Sequence, residues 1–265
     1  MNIFTFTAHF GSEEACREHF KEQRDQLGIT CNRCSHTEHF WIKSRWSYEC
    51  KKCRSRQSLK SGTIMENSNL SYLIWYKTMF LLTTTKKGFS SKEIQKQLGL
   101  KRYEPVWAMV HKLRKAMGNR DARYTLEDML EMDEGYFTVE STEIEQSKGI
   151  RGRGAAGKKN VAIIAESTPL EDAVTGEKSK SCRYFKAKVL DNHTKDGINE
   201  LVAESIDEKS IVFSDKGTSY VDISDFVELH ITEKSSKETT QESLKWVHIA
   251  ISNAKRNMLG NYHKI

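Results

Sequence analysis

The sequence predicts a mixed α+β protein in which a small cysteine-rich module and a helical segment precede a larger sheet domain. Three observations predict this fold class. Four cysteines stand in two close pairs within residues 28–62. Apolar residues recur at helical spacing within residues 63–120. From residue 121 onward, short alternating segments rich in β-branched and aromatic residues are interleaved with helical segments, as in strands and helices that share one sheet.

The composition indicates a folded chain that does not enter a membrane. Hydrophobic residues make up 37% and charged residues 29% of the sequence, a balance typical of globular domains rather than of disordered chains. No apolar run reaches about 18 residues, so we predict no membrane-spanning helix. The N-terminal segment lacks the basic start and apolar block of a signal peptide, which favours a cytoplasmic protein with reduced thiols.

Charge is divided unevenly along the chain. Residues 1–120 contain 22 Lys and Arg against 10 Asp and Glu, a net charge of +12. Residues 121–265 contain 20 basic and 26 acidic residues, a net charge of −6. A basic front half joined to an acidic back half indicates a nucleic-acid-binding part attached to a second domain. The alternative is two solvated surfaces of ordinary composition.

The cysteines predict a zinc site. Cys31 and Cys34 form one Cys-x-x-Cys pair, and Cys50 and Cys53 form a second pair after 15 intervening residues. Two such turns supply four thiolates in a tetrahedron, the arrangement that structural zinc prefers. Four free buried thiols are the alternative, but free cysteines rarely occur so paired.

The segment between the two pairs, HFWIKSRWSYE, predicts a short hairpin, so residues 28–62 are predicted to be a zinc ribbon behind a helical lead-in at residues 1–27. Basic residues surround the hairpin. Contact with DNA phosphates is a natural use of such a surface, although ribbons of this kind also bind proteins. The ribbon residues predicted to bind DNA are Arg45, Lys51, Lys52, Arg54 and Arg56.

The helical segment 63–120 is predicted to be a DNA-binding module. An apolar helix at 70–83 is followed by two shorter helices, the first opened by a capping box of Ser90 and Glu93. A turn containing Gly99 joins them, which resembles a helix-turn-helix. A purely structural helix pair would give the same pattern. The second helix carries four residues predicted to face DNA: His111, Lys112, Arg114 and Lys115.

The remaining segment, 121–265, follows the element order of a ribonuclease-H-like mixed sheet. The predicted order is three strands, a helix, a strand, a helical turn, a strand and a final helix at 240–259. The loop after the first strand, roughly 141–159, contains RGRGAAGKK. We predict that its Arg151 and Arg153 contact phosphates.

Two aspartates of this domain predict a metal site. Asp133 lies within the first strand, and Asp215 ends the fourth. These strands are neighbours in a ribonuclease-H-like sheet, so the two carboxylates can meet at one edge and hold divalent cations through oxygen. An acid inside an apolar strand is unfavourable unless it is paired. Glu131, on the same strand face, and Glu134, on the opposite face, are the rivals of Asp133.

Four segments, in this order, resemble those of ISXO-like DDE-type insertion-sequence transposases: EMDEGYF, RGRGAAGKKNVAIIAE, FSDKGTSY and KWVHIAISNAKRNMLGNYH. The resemblance covers nearly the whole chain from about residue 28. It implies a zinc ribbon and a helix-turn-helix joined to a ribonuclease-H-like catalytic domain that uses Mg²⁺ or Mn²⁺. It also implies a bacterial, nucleoid-associated protein that acts on double-stranded DNA as a homo-oligomer.

The family's third metal ligand, often Glu but sometimes Asn or His, lies seven residues before a Lys that precedes an Arg. Lys255 and Arg256 match this pair, which puts His248 at the ligand position. Seven residues are about two helical turns, so His248 and Lys255 share a helix face. The resemblance thus implies that His248 completes the site of the two aspartates and that Lys255 contacts a DNA phosphate.

Histidine at the ligand position departs from the family's common glutamate. As a softer ligand it tolerates manganese or zinc better than magnesium. Asn253 and Glu242 remain alternatives for the third ligand, although Asn253 is rotated well off the face of His248. The chain also ends soon after this helix, which predicts a copy shortened at its C-terminus and leaves its activity open.

The resemblance implies a DNA transposase that binds the terminal inverted repeats of an insertion sequence. Its reactions are metal-dependent phosphodiester cleavage and strand transfer. The histidine and the short C-terminus favour an alternative, a catalytically inactive zinc-ribbon DNA-binding remnant or regulator derived from such an enzyme. A ribonuclease H or structure-specific nuclease is a third possibility, and it would not require specific terminal repeats.

Overall fold

The computed structural model describes residues 1–85, 88–139, 158–171, 178–190, 195–217, 220–234, 236 and 243–261. It divides into two compact units, Met1–Gly118 (unit 1) and Asn119–Ile265 (unit 2). Arg151, Arg153 and Glu242 lie outside the described residues. Among the helices that the structure describes, none is long and apolar enough to cross a membrane.

Unit 1 combines helices with a small antiparallel sheet of order β1-β2-β3. Its elements in chain order are α1 (Ile3–Phe10), α2 (Glu13–Leu27), β1 (His39–Ile42), β2 (Ser47–Cys50), β3 (Arg56–Ser58), α3 (Tyr72–Thr84), α4 (Ser91–Gln97) and α5 (Glu104–Asp121). The predicted hairpin is confirmed as β1 and β2, and its turn is a short 3₁₀ segment at Lys43–Arg45. The third strand was not predicted, because three residues are too few to show alternation.

Local capping explains where the helices of unit 1 begin. The predicted capping box is confirmed: the Ser90 hydroxyl accepts from the Glu93 N–H at 3.2 Å, and the Glu93 carboxylate accepts from the Ser90 N–H at 2.8 Å. The turn between α4 and α5 contains Gly99 at φ +62°, a left-handed conformation that glycine adopts without strain. The helix pair is thus specified by its own sequence.

One apolar core joins the three segments of unit 1. Buried side chains from the N-terminal helices, from the cysteine-rich segment and from α3 to α5 pack together, and they include Phe6, Cys16, Tyr48, Leu59, Met65, Trp75, Ile94, Val106 and Val110. The segment 1–27 therefore contributes to the same core as the cysteine-rich segment 28–62.

Unit 2 is built on a five-stranded mixed sheet of order β6-β5-β4-β7-β8. Its elements are β4 (Met129–Thr138), β5 (Lys158–Glu171), β6 (Lys178–Leu190), α6 (Lys195–Ser205), β7 (Ile211–Asp215), β8 (Leu229–Glu233) and α7 (Lys245–Asn261). β4, β5 and β6 are antiparallel neighbours, whereas β4, β7 and β8 run parallel. The carboxyl ends of these three parallel strands therefore lie at one edge.

Alternation along β4 divides the core of unit 2 into two layers. Leu130 and Met132 face a cluster that contains Ile198 and Leu201 of α6. The opposite face packs against α7, through a cluster in which Phe137 joins residues of that helix. Helices thus cover both faces of the sheet, as the burial of both faces of β4 requires.

The predicted order of strands and helices in unit 2 is confirmed, although several boundaries are displaced. The last strand, predicted from the segment FVELHIT at 226–232, is β8 and begins at Leu229, after a 3₁₀ turn at Ile223–Asp225. α7 begins at Lys245 instead of residue 240. Its first turn is bonded to a side chain of β4, a long-range contact that helical periodicity does not reveal.

Candidate functional site

The four predicted zinc ligands converge. The Sγ atoms of Cys31 and Cys53 are 3.6 Å apart, and those of Cys34 and Cys50 are 3.5 Å apart. All four sulfurs lie within 4.8 Å of one another. A tetrahedral site with Zn–S bonds of about 2.3 Å requires sulfur–sulfur separations of about 3.8 Å. The cluster therefore fits one zinc ion.

Two similar turns present these cysteines. The residue that follows each Cys-x-x-Cys pair, Ser35 or Arg54, has a positive φ and donates its N–H to the carbonyl of the first cysteine. Backbone N–H groups of Arg33 and Cys34 lower the pKa of the Cys31 thiol to about 6. A thiolate is the form that binds zinc, so these backbone N–H groups favour the ligating form of Cys31.

The five basic residues of segment 28–62 that were predicted to bind DNA are exposed, but three of them are engaged by acids. Arg56 and Arg54 both contact Glu49, at 2.7 and 3.6 Å, and the hydrogen bond from Arg56 lowers the pKa of that carboxyl. Lys51 lies 3.4 Å from Glu38. Exposed pairs of this kind contribute little to stability and exchange readily for phosphate. Arg45 and Lys52 are also exposed.

Helix α2 packs on the aromatic face of the ribbon, which sequence reasoning missed. Its basic side chains lie over aromatic rings: Arg17 is 4.9 Å from the Trp46 ring centroid, and Lys21 is 4.8 Å from that of Trp41. Arg24 donates to the Leu59 carbonyl at 2.7 Å. The spacing of 17, 21 and 24 along one helix face was the available signal. These basic side chains of α2 contact the cysteine-rich segment within unit 1. The charge of α2 is therefore not simply available for binding phosphate.

The four residues of α5 that were predicted to face DNA differ in their surroundings. His111 and Lys115 are exposed, and the His111 ring stacks 4.1 Å from that of the half-exposed Trp107. Arg114 is partly buried. The Lys112 ammonium donates to the Glu66 carbonyl at 2.7 Å. Lys112 is therefore bound within unit 1, whereas His111 and Lys115 are accessible.

The predicted acidic pair lies at one sheet edge. Met132 of β4 is opposite Ser214 of β7 in the parallel ladder, and Asp133 and Asp215 are the next residues along each strand. Burial raises the pKa of the Asp133 carboxyl, and the charge of Asp215 raises it further. The strands thus hold two carboxylates close enough to repel each other.

Helix α7 brings His248 to this edge. Its Nδ1 atom is 3.6 Å from an Asp133 carboxylate oxygen, with the histidine side chain one-third exposed and the aspartate 19% exposed. Lys255 lies two turns further along α7, is exposed, and has its Nζ atom 5.8 Å from the Phe137 ring centroid. Asn253 is partly buried on the same helix. Asp133, Asp215 and His248 therefore cluster at one edge.

The two rivals of Asp133 have other partners. Glu131 is fully buried and accepts hydrogen bonds from the backbone N–H groups of Trp246 and Val247. Glu134 accepts a hydrogen bond from the Asn160 side chain on β5. Neither of these hydrogen bonds involves the cluster of Asp133, Asp215 and His248 at the partly exposed edge.

Three neighbours of Asp215 were not foreseen. The Gly217 N–H donates to its carboxylate at 3.0 Å, and a Cβ atom at Gly217 would lie only 2.9 Å from the same oxygen. Glu233 is opposite Asp215 on β8. Burial raises the pKa of Tyr220, and the charges of Glu134 and Asp133 contribute. Asp215 thus sits in a tight turn beside a further carboxylate and a buried phenol.

Two aspartates and a histidine at one edge of a mixed sheet form a candidate site for a divalent cation. Residues 125–265, more than half of the chain, match the family model described as the ISXO2-like transposase domain. The chain belongs to this transposase family, which confirms the resemblance of its four motifs. A search of curated proteins finds no matching relative.

Proposed function

We propose that the protein is a DDE-type DNA transposase that binds the terminal inverted repeats of an insertion sequence, cleaves at their ends and transfers the freed strands. The observation that carries the proposal is the clustering of Asp133, Asp215 and His248 at one sheet edge in a chain of this family. Its fold is that of a ribonuclease-H-like domain, on the strand order β6-β5-β4-β7-β8. The N-terminal part is a zinc ribbon with a helix-turn-helix-like module.

The donor set fits divalent cations. Asp133 and Asp215 offer carboxylate oxygens; burial raises the pKa of Asp133, and the negative charge of Asp215 adds to that rise. These residues and His248 would hold Mg²⁺ or Mn²⁺, and the histidine favours Mn²⁺. When bound, such ions supply charge neutralisation at the phosphate and activation of the attacking oxygen.

The reaction consists of two displacements at phosphorus. In cleavage, water attacks, the P–O3′ bond at the repeat end breaks, and a 3′-hydroxyl is released. In strand transfer, that hydroxyl forms a new bond to a target phosphorus, and a target 3′-oxygen leaves with a proton. Lys255, exposed on the same helix as His248, binds a phosphate of the DNA end and so orients it.

Unit 1 supplies DNA binding in this proposal. Its residues 1–118 contain 21 Lys and Arg against 10 Asp and Glu, a net charge of +11, and the exposed Arg45, Lys52, His111 and Lys115 provide phosphate and groove contacts. Two DNA ends must be joined in one event, so the active form is a homo-oligomer on DNA.

Two lysines of α5 give a matched test of the DNA interface. Lys115→Ala is expected to weaken binding to the terminal repeat and to reduce the log–log salt slope by about 0.9, the value for one lost phosphate contact. Lys112→Ala is expected to leave that slope unchanged and to lower the free energy of unfolding by about 1–2 kcal/mol, since it removes a charge-assisted hydrogen bond. For both variants, fluorescence anisotropy across a salt series measures the slope, and thermal melting measures the change in stability. The same slope for both variants would contradict this interface.

The function itself is tested by strand joining in vitro. The full chain is mixed with a labelled duplex that carries the repeat flanking its own gene, together with Mg²⁺ or Mn²⁺, and in parallel with EDTA. Metal-dependent nicking at the repeat end and joined products are expected.

Binding to the repeat without cleavage under either metal would overturn the enzymatic proposal. It would favour the second candidate, a DNA-binding remnant. That candidate rests on the histidine that stands where the family commonly has glutamate.

A further inference from the structure

The first turn of α7 is held by a residue that is distant in sequence. The Glu131 carboxylate of β4 accepts hydrogen bonds from the backbone N–H groups of Trp246 and Val247, at 2.5 and 3.1 Å. Glu131 is 0% exposed. A negative charge at a helix N-terminus is favourable because the free N–H groups and the helix dipole both point to it.

The residue directly before the helix does not provide this cap. Leu244, which precedes the helix, is apolar and buried, and it offers no side-chain acceptor to the first turn. A Ser, Thr, Asp or Asn would normally occupy that position. Glu131 thus replaces a local cap with one that comes from the central strand, and it ties the start of the helix to that strand.

The same strand and helix carry the proposed metal ligands. Asp133 follows Glu131 by two residues on the same face of β4, and His248 follows Val247 directly on α7. The Asp133–His248 distance of 3.6 Å therefore depends on where the first turn of α7 is fixed along β4.

A second contact between β4 and α7 lies further along these two elements. Gly135 faces Ile251, and a Cβ atom built on Gly135 would approach the Ile251 side chain to 3.2 Å and the Phe137 ring to 3.0 Å. The missing side chain lets the helix lie close to the strand there. His248 stands between the Glu131 contact and the Gly135 contact, so its backbone is fixed on both sides.

We propose that Glu131 is a positioning residue for metal binding: its carboxylate sets the register of α7 on β4 and thereby turns His248 toward Asp133. This inference rests on the proposed function of the site. Glu131 itself is not a ligand, because its carboxylate is buried against backbone amides. Partners that orient a metal ligand in this way typically contribute about 10- to 100-fold to metal affinity or activity.

The test uses the full chain with Mn²⁺ alone as the probe. Electron spin echo modulation of bound Mn²⁺ reports nitrogen coupling from a coordinated histidine. The wild type is expected to show this coupling, and His248→Ala is expected to lose it. Glu131→Gln and Glu131→Ala are expected to weaken the coupling and to lower Mn²⁺ affinity by about 10-fold or more.

A matched variant separates positioning from general stability. Val161 packs against the same apolar cluster from β5, so Val161→Ala weakens the α7 side of the core without changing the cap. It is expected to keep the nitrogen coupling at a melting temperature similar to that of Glu131→Gln. Circular dichroism checks that each variant is folded, and Glu131→Gln keeps an acceptor oxygen should Glu131→Ala fail to fold.

The outcomes distinguish two failures. If the wild type shows nitrogen coupling and folded Glu131→Gln shows the same coupling and affinity, the positioning role is wrong and the metal site stands. If Val161→Ala loses coupling to the same extent as Glu131→Gln, Glu131 acts only through stability, and the inference is again wrong. If the wild type itself shows no histidine coupling, the proposed ligand set fails first.

Discussion

Asp133→Asn is expected to lower the rates of cleavage and strand joining by about 1,000-fold or more while DNA binding stays at the wild-type level. Asn keeps the shape of Asp133 but removes a negative oxygen ligand. Metal ions typically stabilise the transition states of such reactions by several kcal/mol, and about 1.4 kcal/mol corresponds to a factor of ten in rate. DNA binding is retained because the proposed phosphate contacts lie in unit 1 and at Lys255.

The same change is expected to leave the metal-free protein as stable as the wild type, or to make it more stable. Burial and the neighbouring Asp215 raise the pKa of Asp133, so the charged form is disfavoured in the fold. A neutral side chain of equal size removes that repulsion. Lost activity together with unchanged or higher melting temperature would identify a functional carboxylate rather than a structural one.

Asp128→Asn is the control. Asp128 precedes the same strand, is exposed, and has φ +64°, a conformation that Asn also tolerates. It undergoes the same chemical change directly before the start of β4 and is expected to keep wild-type activity. Single-turnover rates on the labelled repeat duplex are measured for the wild type, Asp133→Asn and Asp128→Asn. Strand joining by Asp133→Asn within a few-fold of the wild-type rate would refute the ligand assignment.

The acidic edge could be predicted from the sequence because two regular strand patterns each place an aspartate there. Alternation along β4 and the apolar run that ends at Asp215 each identify a strand, and a parallel pairing brings the two aspartates together. The spacing from Lys255 pointed to His248 through the family resemblance. The Asp133–His248 contact agrees with that spacing, while the metal roles of all three residues remain predictions.

Contacts between distant segments could not be read from the sequence. Glu131 was a rival ligand on pattern alone, because alternation gives the face of a strand but not what packs on that face. Lys112 was grouped with its basic neighbours for the same reason: helical periodicity does not show that a backbone carbonyl of residue 66 accepts its proton. In both cases a polar group is bound by backbone atoms far away in the chain.

Removal of zinc is expected to unfold unit 1 and leave unit 2 folded. The cysteine turns hold the short strands β1 to β3, whose Tyr48 and neighbouring Leu59 belong to the single core of unit 1. Structural zinc typically contributes about 10–16 kcal/mol of apparent binding free energy, whereas a whole domain is stable by only about 5–15 kcal/mol. The free energy lost with the metal therefore exceeds the stability that the remaining core can supply. A strong chelator is expected to abolish repeat binding and to expose unit 1 to proteases.

Cys50→Ser tests the same point without a chelator, and Cys182→Ser is its control. Cys50 is buried in the cluster, whereas Cys182 lies on β6 in unit 2, where its thiol contacts the Tyr184 carbonyl at 3.6 Å. Elemental analysis is expected to find one zinc per chain in the control and less in Cys50→Ser, which loses protection of unit 1 against limited proteolysis. Serine cannot supply the thiolate that makes the site closed and tight. If the control contained no zinc and Cys50→Ser kept full protection, the four cysteines would be packed thiols and the ribbon would be stable through its aromatic contacts with α2.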